Sequence, residues 1–78
     1  MDWNKKNELT ETITRAILMG YDEYTIEYEH LEGSTKQILE KKVALPSPQR
    51  TGTLMQQETY ARMTAMVIVD RFTKEYVL

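Results

Sequence analysis

The stretch YTIEYEHLEGSTKQILEKKVAL, residues 24–45, is the most informative part of the sequence for the fold, because it predicts a β-hairpin. Tyr24, Ile26 and Tyr28 alternate with polar residues, which is the two-residue period of a half-buried strand. Gly33 marks the turn, since glycine takes the positive φ angles that two-residue hairpin loops require.

Two registers are compatible with this turn, one with the loop pair at positions 32–33 and one at positions 33–34. The second would place Glu27 directly opposite Glu40, and facing like charges are destabilising. The first avoids that contact and sets Glu29 against a lysine. Cross-strand pairing therefore favours the loop pair at positions 32–33.

Both registers produce the same two faces of the hairpin. The face predicted to pack against the rest of the chain carries Tyr24, Ile26, Tyr28, Leu39 and Val43. The face predicted to be solvated carries Thr25, Glu27, Glu29, Lys36, Glu40 and Lys42. Core packing is the favoured role of the two tyrosines, because the same face must cover both flanking helices.

A first helix is predicted over about residues 4–19. Leu9, Ile13 and Ile17 recur at four-residue spacing and form one apolar stripe. Gly20 follows this stripe and suits the left-handed residue that ends many helices.

A second helix is predicted over about residues 54–75, after a loop at 46–53. Thr53 and Gln56 match a capping box, in which each side chain satisfies a free backbone amide of the other residue. The apolar residues of this helix cover most of its circumference: Ala61, Ala65, Ile68 and Phe72 in one stripe, with Met63, Met66, Val67 and Val69 beside it. A helix that is apolar on most sides must be covered on more than one side.

These elements predict one α+β domain over residues 1–78, in the order α-β-β-α, with a β-hairpin at about 23–45 covered on one face by two helices. A lone two-stranded hairpin is marginally stable, and the second helix has more apolar surface than one chain can cover. Both features favour a homo-oligomer, in which other copies of the chain cover these surfaces. Either the strands continue across subunits or the second helices pack together. The predicted interface residues are Met55, Tyr60, Met63, Met66 and Tyr76, since methionine and aromatic residues are enriched in interfaces.

The composition excludes several classes of function. The chain has no cysteine and one histidine, so neither a disulfide scaffold nor a structural zinc site is expected. Ten basic residues against twelve acidic ones disfavour nucleic-acid binding. No apolar run is long enough to span a bilayer or to act as a signal peptide, so a cytoplasmic location is expected. No catalytic residues, metal or cofactor are predicted.

The loop before the second helix has two interpretations. Arg50, Thr51, Gly52 and Thr53 lie at a helix N-terminus, where free amides and the helix dipole favour anions. Arg50 could clamp a phosphate, and Arg62 could reach the same side. The simpler interpretation, which is favoured, is a stiff linker that ends in a helix cap.

The favoured function is therefore a small non-enzymatic accessory or inhibitor protein of the phage or mobile-element type. It would block a protein partner sterically, through its acidic sheet face or the exposed part of the second helix. The alternative is sequestration of a phosphate-bearing small molecule, such as a nucleotide signal, at a subunit interface lined by the loop residues and Arg62.

Overall fold

The computed structural model describes residues 3–78 and has the predicted α-β-β-α order. Its elements are α1 Trp3–Leu18, β1 Glu23–Glu32, β2 Thr35–Ala44 and α2 Leu54–Glu75. The α+β class and a hairpin packed against helices are confirmed, and each boundary lies within a residue of the predicted one.

Helix α1 ends where its apolar stripe ends. Gly20 has φ +84 and follows the last turn, and its amide donates to the carbonyl of Ile17 at 3.0 Å. The Tyr21 amide donates to the carbonyl of Ala16, also at 3.0 Å. This pair of bonds satisfies carbonyls that the helix end would leave free, and it turns the chain towards β1.

The predicted hairpin register is wrong. Glu32 pairs with Thr35, so the loop pair is Gly33–Ser34, and Glu27 faces Glu40. The geometry of the turn explains this outcome: Gly33 has φ +64, and no other residue type adopts positive φ in residues 3–78. A loop pair at positions 32–33 would place glutamate at the first loop position, which needs positive φ in both favoured hairpin turns.

The lysine–glutamate pairs that favoured the other register still form, between residues that are diagonal neighbours on the two strands. Lys36 Nζ lies 2.9 Å from Glu29 Oε1, and Lys42 Nζ lies 3.6 Å from Glu23 Oε1. The hydrogen bond from Lys36 lowers the pKa of the Glu29 carboxyl below its usual range. Long lysine side chains reach diagonal neighbours, so ion pairs alone select the register weakly.

The core lies between the two helices and the inner face of β1. Its buried apolar residues are Ile13, Ile17, Ile26, Ala61, Ala65, Val69 and Phe72. The helices run antiparallel, since Lys6 near the start of α1 contacts Asp70 near the end of α2 at 2.7 Å. Alanines at the contact, including Ala16, leave room for the two helix backbones to approach closely.

An aromatic cluster closes the end of the core near the C-terminus. The Tyr28 ring centroid lies 4.5 Å from that of Tyr76 and 6.0 Å from that of Phe72. Lys41 Nζ lies 5.3 Å from the centroid of Tyr76, and a hydrogen bond with this tyrosine raises the pKa of the lysine. Tyr24 and Tyr28 both pack against the core, in agreement with their predicted role.

The hairpin forms a two-stranded sheet with little further pairing. The Glu29 amide of β1 donates to the carbonyl of Val77 at 2.6 Å, which pairs the chain's end with the outer edge of β1. No backbone pairing within residues 3–78 covers the outer edge of β2. The molecule measures 50 × 23 × 15 Å, and the residues around the hairpin turn are exposed.

Candidate functional site

The loop that precedes α2 forms the predicted capping box. The Gln56 amide donates to Thr53 Oγ1 at 3.1 Å, and the Thr53 amide donates to Gln56 Oε1 at 2.9 Å. The Gln57 side chain also donates to the carbonyl of Gly52, at 3.2 Å. Two of the amides that could hold an anion therefore already have acceptors from the chain itself.

The Arg50 side chain reaches the C-terminal end of α1. Its guanidinium Nη2 is 3.4 Å from the position that a Cβ on Gly20 would occupy. The C-terminal end of α1 carries partial negative charge, so a cation is favourable there. Thr51 is exposed, and its carbonyl accepts a hydrogen bond from the Gln49 side chain at 3.1 Å.

Arg62 joins the two helices. Its guanidinium contacts Glu58 Oε1 at 2.8 Å and also donates to Glu11 Oε1 of α1. Hydrogen bonds to Glu58 and Glu11 raise the pKa of Arg62. Each pair is partly exposed, so this link aligns the helices more than it stabilises them. The anion site formed by the loop residues and Arg62 stays a prediction. Arg62 and Thr53 already make hydrogen bonds to other residues of the chain.

Replacing Gly52 with alanine is expected to destabilise the start of α2 by about 2 kcal/mol, from left-handed backbone strain and loss of the cap. Gly52 has φ +87, and an added Cβ would lie 2.4 Å from Gln56 Oε1. Urea denaturation of Gly52→Ala measures the loss. The matched control is Gly33→Ala, at φ +64 with open space around the added Cβ. Equal losses in the two variants would show that the cap contributes nothing.

An exposed apolar surface runs along α2 on the side opposite the core. This α2 outer face consists of Met55, Tyr60, Met63, Met66 and Val67, all exposed. The last four are spaced by three, four and seven residues, and Met55 lies eight residues before Met63 and eleven before Met66, so all five lie on one side of the helix. A shallow groove of about 350 Å³ opens among Met55, Tyr60 and Met63.

Four of the five predicted interface residues lie on the α2 outer face, and Tyr76 does not. Tyr76 follows α2 and stacks on Phe72 inside the aromatic cluster, with 4.7 Å between ring centroids. Val67 belongs to the face but was absent from the predicted set. Its position four residues after Met63 was the signal that could have identified it.

A second groove, of about 370 Å³, lies between α1 and the outer edge of β1. It is lined by Glu8, Leu9 and Thr12 of α1 and by β1 residues, and Leu78 borders it. Val77 pairs with Glu29 at the outer edge of β1, beside this groove. The bridge and the groove depend on how the chain's end folds back, which no local pattern indicates.

The solvated face of the hairpin is charged, as predicted. Two ion pairs connect its strands, from Lys36 to Glu29 and from Lys42 to Glu23. Glu27 and Glu40 face each other between these pairs, and within residues 3–78 neither has an ion-pair partner. A partner with basic groups would relieve this repulsion.

Among the described residues, no group of three or more His, Cys, Asp or Glu side chains could hold a metal ion. No helix in residues 3–78 is both long and apolar enough to cross a bilayer. No protein-family model, curated protein or solved structure matches the chain.

Proposed function

We propose that this chain is a small non-enzymatic binding protein that self-associates through the α2 outer face and blocks a protein partner sterically. The second apolar face of α2 supports self-association. The first face, with Ala61, Ala65 and Val69, is fully used by the core, while Met63 on the opposite side is 63% exposed. A helix with two apolar faces gains stability when something covers the second one.

A second copy of the chain fits this face well. Isologous contacts bury the same surface on both copies, so one apolar stripe supplies both halves of the interface. Met55, Met63 and Met66 are unbranched and adapt their shape to a facing helix. Tyr60 adds an aromatic ring with a polar end, which suits the rim of an interface.

The partner of the assembly would meet the acidic face of the hairpin. Glu27 and Glu40 form its centre, and both carboxylates are exposed. A basic surface on the partner is the complementary chemistry, and it would speed encounter as well as improve fit. A small accessory or inhibitor protein of this kind would act by occluding the part of the partner's surface that it covers.

Sedimentation velocity of the purified chain tests the self-association. We expect a species of at least two chains at micromolar concentration, with a weight-average mass that rises with concentration. A single species with the mass of one chain, unchanged up to about a hundred times that concentration, would contradict the proposal.

A further inference from the structure

The outer edge of β2 is a second surface that is open to a partner. The pair Glu32–Thr35 closes the hairpin, so alternate residues of β2 turn their backbone groups towards β1. The remaining residues turn their N–H and C=O groups outwards: Lys36, Ile38, Glu40, Lys42 and Ala44. Proteins usually blunt or cover such a long free edge, because it is a template for pairing with another strand.

We propose that β2 pairs antiparallel with β2 of a second copy, about a two-fold axis at Ile38. The result is a continuous four-stranded sheet in the order β1-β2-β2-β1. Residues with outward backbone groups must face one another, so Ile38 meets Ile38 of the second copy and Lys36 meets Glu40 of the second copy. Because the contact is two-fold, that charge pair occurs twice.

Charge complementarity favours this register over its neighbours. An axis at Leu39 would place Lys36 opposite Lys42 of the second copy, and an axis at Glu40 would place two glutamates face to face. Both arrangements set like charges directly opposite each other, which destabilises a sheet. An axis at Lys41 pairs Glu40 with Lys42 of the second copy, but it also sets Lys41 opposite Lys41 of the second copy, which is another contact between like charges.

The proposed register also relieves the repulsion left within each hairpin. Glu40 faces Glu27 in its own chain and has no ion-pair partner within residues 3–78. In the four-stranded sheet Glu40 gains Lys36 of the second copy. Lys36 keeps Glu29 of its own chain, 2.9 Å away, and lies between two carboxylates.

The apolar part of the edge points to the same axis. Ile38 is 59% exposed on the solvated face of the hairpin. Two isoleucines that face each other across a sheet pack well, since β-branched side chains fit a pleated surface. The axis at Ile38 therefore covers the most exposed apolar side chain of the β2 edge.

This contact uses a different surface from the α2 outer face, so either can exist without the other. If both form, two isologous contacts on one chain build an assembly larger than a dimer. The acidic face of the hairpin would then be doubled, with both copies of Glu27 on one continuous sheet.

Cysteine crosslinking tests the register, because the chain has no cysteine of its own. Facing residues of a hydrogen-bonded antiparallel pair have Cα atoms about 5.5 Å apart, within the range that a disulfide spans. Ile38→Cys, oxidised mildly with copper phenanthroline, should form a covalent dimer in high yield. The control is Lys42→Cys, exposed on the same edge, whose two copies would lie about 26 Å apart along the strands.

Two further variants separate this contact from α2 association and from misfolding. Ile38→Cys should crosslink equally well when Met63 and Met66 are replaced by glutamate. Glu40→Lys should reduce the Ile38→Cys crosslink several-fold, because it sets two lysines opposite each other across the contact, while circular dichroism should show that the chain stays folded. Crosslinking through Lys42→Cys instead of Ile38→Cys, loss of the crosslink in the Met63 and Met66 variant, or no effect of Glu40→Lys would each overturn the proposal.

Discussion

Replacing Met63 and Met66 with glutamate together is expected to reduce the mass of the assembly by at least half. Both side chains lie on the α2 outer face, 63% and 51% exposed, so the isolated chain tolerates a charge there. In an interface the same carboxylates would be buried without a partner, which costs several kcal/mol. A loss of about 4 kcal/mol weakens association about a thousandfold.

Sedimentation equilibrium of this double variant gives the mass, and circular dichroism shows whether the helices persist. The matched control is Leu54→Glu. Leu54 is 82% exposed at the first position of α2, but it lies on the side of the helix that Phe72 occupies, away from the α2 outer face. The control should keep the wild-type mass. An unchanged mass in the double variant would place the contact elsewhere.

The core substitution Ile17→Ala is expected to destabilise the chain by about 3 kcal/mol. Ile17 is fully buried between the helices and β1, and buried isoleucine-to-alanine changes cost about 2–5 kcal/mol through lost burial and a cavity. A domain of this size has a total stability of about 4–12 kcal/mol, so the loss is a large fraction of it. The melting temperature should fall by more than about 10 °C.

Urea denaturation at one fixed protein concentration measures this loss, because association also raises apparent stability. Leu31→Ala is the control. Leu31 is a comparable aliphatic residue near the hairpin turn and is exposed, so its truncation should change stability by less than about 0.5 kcal/mol. A loss below about 1 kcal/mol for Ile17→Ala would show that the core between the helices is loosely packed.

Local patterns were sufficient to predict the elements of this fold. The alternation of Tyr24, Ile26 and Tyr28 predicted β1, and the four-residue spacing from Leu9 to Ile17 predicted α1. The capping box at Thr53 located the start of α2. These signals depend on neighbours in the chain, so they can be recognised without knowledge of the tertiary structure.

The hairpin register was predicted wrongly because the rule for cross-strand charge pairs and the rule for turn residues disagreed. The prediction followed the charge rule, which is the weaker of the two. Facing charges at Glu27 and Glu40 cost a few tenths of a kcal/mol to about 1 kcal/mol. A non-glycine residue at the first turn position costs about 1–2 kcal/mol. The backbone strain avoided by placing Gly33 first in the loop is therefore larger than the charge repulsion that this register introduces. The diagonal ion pair of Lys36 with Glu29 offsets part of that repulsion.

The candidate site was harder to predict because its contacts are distant in sequence. Arg62 reaches Glu11 of α1, and Tyr76 turns back onto Tyr28. Helical periodicity alone showed that α2 has too many apolar residues for one face. It could not show which of them the core would use, because that depends on how α1 packs.

Methionine oxidation of the wild-type chain, followed by peptide mass spectrometry, tests most directly whether a second copy covers the α2 outer face. Met63 is 63% exposed in the single chain and Met19, at the end of α1, is 66% exposed, so in a monomer hydrogen peroxide should oxidise them at similar rates. We expect Met63 and Met66 to oxidise several-fold more slowly than Met19, because a second copy covers them, and we expect dilution to remove the difference. Equal rates at every concentration would show that no second copy covers this face.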